Sequence, residues 1–352
     1  MAGTAAGRGS GGVPRASIER MSDDRSWVAR FTDPVLHPTR SSLRVLALAA
    51  VVANAVIVST GEAVRLSSSG LGCPDWPKCT NASLVAARSA GQTTLNTWIE
   101  FGNRLLNFPL VAVAGLVFIA AWQYRPHGRR RRDLVWLAAA QPAGVIVQAV
   151  VGGILVLTKL NPALVSVHFL LSSSVLAAAV VLHVRCAEGD GPARPVVRTD
   201  LRVLTALLAG AVLAMLAAGT VVTGTGPLAG NATASRYHLP LEGVTQLHAD
   251  VGWFLGAIAV ALVIGLRFSD APPRVVRYGW VMLGAIGIQG VIGYAQYFSH
   301  LPAGLVWVHV TTSMVIWILV LRFFLATRER AALPGSGLAP AGAAVAETAT
   351  AS

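Results

Sequence analysis

The sequence predicts an all-α membrane protein with eight transmembrane helices in two pseudo-symmetric four-helix bundles and with both termini in the cytoplasm. Of its 352 residues, 54% are hydrophobic and 12% are charged, and the mean hydropathy is +0.61. This composition excludes an ordinary soluble domain. Apolar runs of about 20 residues, the length that crosses roughly 30 Å of hydrocarbon, recur eight times, and a sequence pattern of the first half recurs in the second.

The eight apolar runs are the predicted spans. They lie near residues 43–63, 99–123, 134–157, 163–183, 201–223, 244–267, 279–298 and 303–326. The first run begins too late and is too long for a cleaved signal peptide, so we interpret it as a retained span. Residues 1–40 are rich in Gly, Ser, Ala and Arg, residues 329–352 are rich in Ala, Gly and Pro, and both segments predict disordered tails.

The basic residues predict the orientation. They concentrate in the N-terminal tail and in alternate loops, as in the cluster Arg129 to Arg132, and such segments stay on the cytoplasmic side. This places an external loop at residues 64–98. The net charge of +12 is spread over loops and helix flanks, where topology and anionic lipid explain it, so no nucleic-acid partner is expected.

An internal repeat relates the two halves of the chain at a spacing of 141 residues. The two copies are Gln148-Ala-Val-Val-Gly152 with Val167-His168, and Gln289-Gly-Val-Ile-Gly293 with Val308-His309. The repeat predicts an N-terminal half at 41–200 and a C-terminal half at 201–328, related by an axis along the membrane normal. Each half would be a four-helix bundle, which can hold a cofactor among its facing helices.

Four spans carry a candidate ligand at a similar depth: Asn103, His168, His248 and His309. Each lies about five residues into its span, or about 7 Å below the outer helix end. An imidazole in hydrocarbon costs free energy unless a partner binds it, which indicates haem between helices near the outer face. His248 and His309 can ligate one iron from both faces, whereas His168 opposite Asn103 makes a single-histidine site, which suits a departing substrate. Alternatively, each ring bonds only to a hydroxyl or carbonyl group.

Two cysteines lie in the external loop, Cys73 and Cys79, on the side of the membrane where disulfides persist. We predict that they form a disulfide, which is sterically possible for so short a loop. The pair serves either as a structural cross-link or as a redox-active pair. No Cys-x-x-Cys-His motif is present in the sequence, so covalent haem attachment is not expected.

Charged residues at the outer ends of the first two spans are further candidates. Glu100, Asn103 and Arg104 share one helical face and can converge on one pocket. There, Glu100 can act as a catalytic carboxylate that moves protons or stabilises a cation, or it can be an interfacial residue paired with Arg104. Arg65 and Arg104 can bind haem propionates bidentately, or serve as interfacial anchors.

Taken together, these motifs resemble the haem A synthase family, membrane enzymes that oxidise haem O to haem A. The matching segments are Gly61 to Arg65 with Ser69-Gly70-Leu71, the Cys73 to Cys79 loop with its Pro-Asp-Trp-Pro core, Glu100 with Arg104, Gln148 through His168, Gly219 through Pro227, Gln246-Leu247-His248, and Gln289 through His309. They occur in the expected order over residues 61–309. No single segment is specific, but the set is.

The resemblance implies a bacterial cell-membrane enzyme with haem b on His248 and His309 and a haem O site in the N-terminal half. It implies that successive hydroxylations and loss of water turn the C8 methyl group into a formyl group. Glu100 and His168 would be the catalytic residues, and the cysteine pair would support catalysis from outside. Asn103 replaces the histidine of the family's Glu-x-x-His motif, as in an actinobacterial-like variant, which leaves His168 as the strong axial ligand.

The resemblance also implies partners: haem O synthase, which is the protohaem farnesyltransferase, an electron acceptor, and a second copy of the chain. Two other functions remain open. A bis-histidine electron-transfer cytochrome b would leave Glu100 and the single-histidine half unexplained. A transporter would be expected to show broken helices or midplane charge.

Overall fold

Eight long helical segments form the body of the protein in a computed structural model, which describes residues 32–87 and 91–331. Within these ranges, eight helical segments are long and apolar enough to cross a membrane, which confirms the eight predicted spans. The chain is therefore a multi-pass membrane protein. Most of the two predicted disordered tails, 1–40 and 329–352, lies outside the described residues, although residues 32–36 form a short helix.

Most of the helices extend beyond the predicted apolar runs because polar residues form additional turns at their ends. They are α1 (Arg40–Leu66), α2 (Thr94–Leu105), α3 (Asn107–Gln123), α4 (Arg132–Leu157), α5 (Pro162–Ala187), α6 (Thr199–Thr225), α7 (Leu241–Arg267), α8 (Pro273–Phe298) and α9 (Ala303–Ala326). Thr39 caps α1 and Asn161 caps α5 through their side chains. Helices α2 and α3 together form the second span, interrupted at Leu106, where Pro109 offers no N–H to the carbonyl of Leu105.

Each half of the chain closes into a ring of four spans. In the N-terminal half, α1 and α4 each pack against both α3 and α5. In the C-terminal half, α6 and α8 each pack against both α7 and α9. The halves meet where α9 contacts α1 and α5, and where α5 contacts α6. This arrangement places the first turns of α2, α5, α7 and α9 at one end, the disulfide end, which carries Cys73 and Cys79.

Tryptophan side chains tie the two halves together. Trp317 donates its indole N–H to the carbonyl of Ser173 at 2.9 Å, and Trp307 donates to the carbonyl of Ser59 at 3.0 Å. The Ser59 hydroxyl also lies 2.9 Å from that of Thr311. Hydrogen bonds between polar groups within apolar helices hold helices in register because hydrocarbon offers these groups no other partner.

In α7, α8 and α9 the buried residues are concentrated at the end opposite the disulfide end. In α7 the buried residues begin at Leu255, in α8 they end at Met282, and in α9 most of them follow Met314. The parts of these helices nearer the disulfide end bury few apolar side chains against one another. The C-terminal ring is therefore tightly packed at one end and loosely packed at the other.

A two-stranded sheet at the end opposite the disulfide joins the loop between the halves to the C-terminal end of the bundle. Strand β1 (Ala193–Pro195) pairs antiparallel with β2 (Arg328–Arg330). The sequence did not predict this sheet because strands of three residues carry no recognisable periodicity.

An ion cluster beside this sheet centres on Asp133, in the first turn of α4. Its carboxylate accepts hydrogen bonds from Arg131 at 2.8 Å and from Arg185 of α5 at 2.5 Å. Both arginine side chains are largely buried. Arg185 also pairs with Glu188 at 2.6 Å, so the cluster links α4 to the end of α5.

Asp133→Ala is expected to destabilise the protein by about 1–2 kcal/mol, because it leaves two largely buried guanidinium groups without this carboxylate. The matched control is Asp200→Ala, since Asp200 also lies in a first turn and pairs with an arginine two residues earlier, but in an exposed pair. That control should change stability by less than about 1 kcal/mol. Thermal unfolding in detergent measures both, and equal shifts in Tm would contradict the prediction.

Candidate functional site

Two histidines of the C-terminal half face each other near the disulfide end. His248 lies in the second turn of α7 and His309 in the second turn of α9. Their ring centroids are 6.3 Å apart and their planes are inclined by 61°. A metal–nitrogen bond is about 2.0 Å long, and the nitrogen lies roughly 1 Å from the centre of its ring. Two imidazoles that bind one metal ion from opposite sides would therefore have ring centres about 6 Å apart. The pair therefore fits the two faces of one haem iron.

A glycine of a neighbouring helix lies beside each of the three intramembrane histidines. A Cβ added at Gly219 would lie 3.3 Å from Cε1 of His248. One added at Gly293 would lie 3.2 Å from Cε1 of His309, and one added at Gly152 would lie 3.2 Å from Cε1 of His168. Such a contact is tight, so each ring lies almost directly on a helix backbone. The same arrangement thus occurs three times.

The ring nitrogens of these histidines make no hydrogen bond to the described part of the protein. Nδ1 of His168, His248 and His309 is enclosed and has no hydrogen-bond partner among the described residues. Enclosed polar atoms are normally paired, so an unpaired one calls for an explanation. Nε2 does not belong to this enclosed set, which leaves it as the nitrogen with room for iron. The alternative that each ring bonds only to a protein hydroxyl or carbonyl finds no support in these contacts.

The repeated glutamines bond to the histidine helices. Gln148 donates its side-chain N–H to the carbonyl of His168 at 3.1 Å, and Gln289 donates to the carbonyl of His309 at 2.8 Å. The repeated sequence therefore corresponds to a repeated contact. Each bond fixes the helix that carries the histidine against the helix that carries the glycine.

The N-terminal half presents one imidazole and one amide. The side-chain oxygen of Asn103 is enclosed without a hydrogen-bond partner in the described part of the chain, as is Nδ1 of His168. No hydrogen bond joins these two side chains within the described ranges. An amide oxygen is at most a weak iron ligand, so this half differs chemically from the bis-histidine half.

Cys73 and Cys79 form a disulfide with a Cα–Cα distance of 4.3 Å, which confirms the predicted pairing. Both cysteines are buried. Cys186 is a free and buried cysteine at the end of α5. The disulfide closes a short loop, residues 70–79, which we call the disulfide loop.

Glu100 and Arg104 bind the disulfide loop. The Glu100 carboxylate accepts a hydrogen bond from the Cys73 N–H at 2.7 Å and one from Arg104 at 2.6 Å. Arg104 also donates to the carbonyls of Cys73, Asp75 and Lys78, at 2.8, 3.0 and 3.2 Å. The structure therefore confirms the pairing of Glu100 with Arg104, and it shows that the pair joins α2 to the loop.

Arg65 joins the two halves at the same end. It pairs with Glu62, one helical turn earlier in α1, and donates to the carbonyl of Leu228 beyond α6. The bonds of Arg65 and Arg104 are to protein groups, so their predicted contacts with haem propionates stay predictions.

Sequence reasoning missed two contacts of this region. Glu62 is buried beside Arg65, and only its position three residues earlier could have indicated the pair. Trp76 of the disulfide loop lies on Gly153. No local signal links these two residues, because they are far apart in sequence.

The comparison with known families agrees with this geometry. The family described as cytochrome oxidase assembly protein, COX15-CtaA, matches residues 44–321. The matched region contains the candidate ligands, the disulfide loop and all the long helices apart from a few residues at each end.

Individual relatives carry the name heme A synthase. The protein of Bacillus mycoides is 24% identical over 273 residues, which are 72% of this chain and 83% of the relative. A Bacillus cereus protein is 23% identical over 297 residues, or 78% of this chain and 90% of the relative. The protein of Lysinibacillus sphaericus is 31% identical over 132 residues, but this match spans only 37% of this chain and 40% of the relative.

Gly293→Val is expected to remove haem from the C-terminal half, because a branched side chain would displace the His309 ring from its position on α8. Gly290→Val is the matched control on the same helix, since a Cβ there would meet no atom of the described residues within 4 Å. The haem-to-protein ratio by the pyridine haemochrome method measures the effect. Equal haem content in the two variants would refute the assignment of this contact.

Proposed function

Because this chain belongs to the cytochrome oxidase assembly protein family COX15-CtaA, we propose that it is a haem A synthase, a membrane oxidoreductase that converts haem O into haem A. The observation that carries the proposal is the asymmetry of two otherwise repeated sites. One half has two facing imidazoles, and the other has His168 with Asn103 in place of a second histidine. One site thus suits a resident cofactor and the other an exchangeable substrate.

The C-terminal half holds haem b in this proposal. His248 and His309 would bind its iron, and the 6.3 Å spacing of their rings supports this role. Haem b held in this way would supply electron transfer. Gly219 and Gly293 let the two rings lie close to the backbone, so the ligands need little rearrangement on binding.

The N-terminal half binds haem O. His168 is the strong axial ligand, and the amide of Asn103 acts as a weak ligand or as a hydrogen-bond donor to one. A single strong ligand holds a porphyrin less tightly than two, which suits a molecule that must leave as haem A. The unpaired side-chain oxygen of Asn103 in the described structure is compatible with this role.

Glu100 is the proposed catalytic carboxylate. Converting the C8 methyl group to a formyl group removes hydrogen from that carbon, so protons must be taken up near the substrate. Glu100 is buried, and Arg104 and the Cys73 N–H hold its two oxygens. The same contacts give the disulfide a direct link to this carboxylate, through which the cysteine pair supports catalysis.

The proposed location is a bacterial cell membrane, with the disulfide end outside and both termini in the cytoplasm. The disulfide supports this orientation, because disulfides persist on the oxidising side. The basic clusters lie at the opposite end, as the positive-inside rule requires.

Haem O synthase, an electron acceptor and a second copy of the chain are the proposed partners. Arg65 and Arg104 are the proposed ligands of the haem propionates.

A bis-histidine electron-transfer cytochrome b is the second candidate function. The paired rings of His248 and His309 favour it. It gives no role to His168 or to the contact of Glu100 with the disulfide loop, so we prefer the synthase.

Haem extraction and mass analysis test the proposal, using full-length protein from a host that also expresses haem O synthase. Wild-type protein should contain haem A. Glu100→Ala and His168→Ala should accumulate haem O, because they alter only the substrate half, and His309→Ala should lose haem b. The control is His238→Ala, since His238 is exposed in the loop between α6 and α7.

The outcome separates the two candidate functions. If wild-type protein contains haem b but never converts the host's haem O, the synthase proposal fails and the electron-transfer cytochrome replaces it. If His238→Ala impairs conversion as strongly as His168→Ala, the assignment of His168 to the substrate site fails.

A further inference from the structure

Trp76 of the disulfide loop lies directly on α4. A Cβ added to Gly153 would be 2.5, 2.8 and 2.9 Å from the Cδ2, Cε2 and Cε3 atoms of the indole ring. No real Cβ is tolerated at such distances, so the ring occupies the space of a side chain at residue 153. Gly153 is buried, yet Trp76 remains 42% exposed. One face of the ring therefore packs on the helix while much of its surface stays free.

The residue before Gly153 in α4 is also a glycine, and it contacts His168, the proposed iron ligand of the N-terminal half. Gly152 lies under the ring of His168, whose Cε1 would be 3.2 Å from a Cβ there. Successive residues of a helix point about 100° apart. Trp76 and His168 therefore approach α4 on neighbouring faces and at the same height.

The main chain on both sides of Trp76 is fixed. Arg104 donates hydrogen bonds to the carbonyls of Asp75 and Lys78, and the disulfide closes the loop around them. An exposed aromatic ring on an anchored backbone loses little freedom when it binds a flat ligand. Glu100 and Arg104 thus hold the ring in place as well as the loop.

The C-terminal half builds the corresponding position differently. The residue 141 places after Gly153 is Tyr294, whose hydroxyl accepts a hydrogen bond from the indole of Trp253 at 3.0 Å. Its ring also stacks on Phe298, with centroids 6.1 Å apart. There the aromatic group belongs to the spanning helix itself, whereas in the N-terminal half an external loop supplies it.

We propose that Trp76 contacts haem O and forms one wall of the substrate site beside His168. This inference rests on the proposed function, because its ligand is the substrate. An aromatic face suits a porphyrin through stacking and apolar contact. Trp76 is carried by an anchored external loop, whereas Tyr294 and Trp253, the aromatic residues at the corresponding position of the C-terminal half, belong to spanning helices.

An interfacial tryptophan anchor is the competing explanation, since such residues are common where helices meet headgroups. An anchor needs no glycine beneath its ring. The close fit of Trp76 on buried Gly153, next to the histidine contact at Gly152, favours a substrate wall.

The test uses full-length protein from a host that lacks haem O synthase, so that haem b is present and haem O is added by titration while the Soret band is followed. Trp76→Ala should raise the Kd for haem O about tenfold or more through loss of the aromatic contact. In turnover it should raise KM more than it lowers kcat. Trp76→Phe, which keeps an aromatic face, should restore most of the affinity.

Gly153→Ala offers an independent variant that leaves Trp76 in the chain. Its Cβ would displace the indole ring, so the Kd for haem O should rise as it does for Trp76→Ala. The controls are Trp136→Ala, an exposed tryptophan at the other end of α4, and Gly115→Ala, where a Cβ meets no atom of the described residues within 4 Å. Both controls should stay within about twofold of wild type.

Haem b content reports whether each variant folds, because its ligands lie in the other half. If Trp76→Ala loses haem b, then Gly153→Ala decides the question. Wild-type affinity for haem O in Gly153→Ala together with Trp76→Ala, or in Gly153→Ala alone if Trp76→Ala does not fold, would overturn the inference and leave Trp76 as an anchor. Failure of wild-type protein to form haem A would reject the synthase function, whereas the comparison of Kd values would still decide the role of Trp76.

Discussion

The uneven packing of the helices along the bundle is the constraint on which the sites depend. Leucine, valine and phenylalanine side chains fill the end opposite the disulfide, and residues such as Leu262 and Phe323 are fully buried there. This packing supplies the stabilisation that holds the rings together. Near the disulfide end, α7, α8 and α9 bury few large apolar side chains, and the histidines lie on glycines of neighbouring helices. The proposed haem b site therefore lies where these helices pack least closely.

The two halves share this arrangement but differ in the groups that surround it. Both place a histidine on a glycine of the neighbouring helix and bond a glutamine to the histidine's carbonyl. Only the C-terminal half adds a second imidazole, and only the N-terminal half adds a disulfide loop bound by Glu100 and Arg104. A bis-histidine pair favours retention of a cofactor. A single histidine below a loop favours exchange, and the loop places a carboxylate, a disulfide and an aromatic ring at the same end of the bundle.

The turns at the disulfide end show how closely the repeat is kept. Lys159 and Leu160, between α4 and α5, adopt positive φ angles of 56° and 61°, and His300 and Leu301, between α8 and α9, adopt 64° and 59°. Non-glycine residues rarely occupy this region. Because both halves have the same left-handed turn, the helix that carries the histidine leaves the helix that carries the glycine with the same backbone conformation in each half.

The sequence by itself determined the eight spans, the repeat and the disulfide pairing, and it identified His168, His248 and His309 as candidate ligands. Span length, residue type and depth are local properties of an apolar helix, and the two cysteines lie close together in one short loop. It could not determine the short sheet of β1 and β2, the partner of Glu62, or the position of Trp76 on Gly153. The sequence identified Glu100 as a candidate catalytic residue and predicted its pairing with Arg104, but it did not predict the bond to the Cys73 N–H. Only the tertiary structure decided these contacts, because each joins segments whose distance depends on how the helices pack and not on the order of residues along one of them.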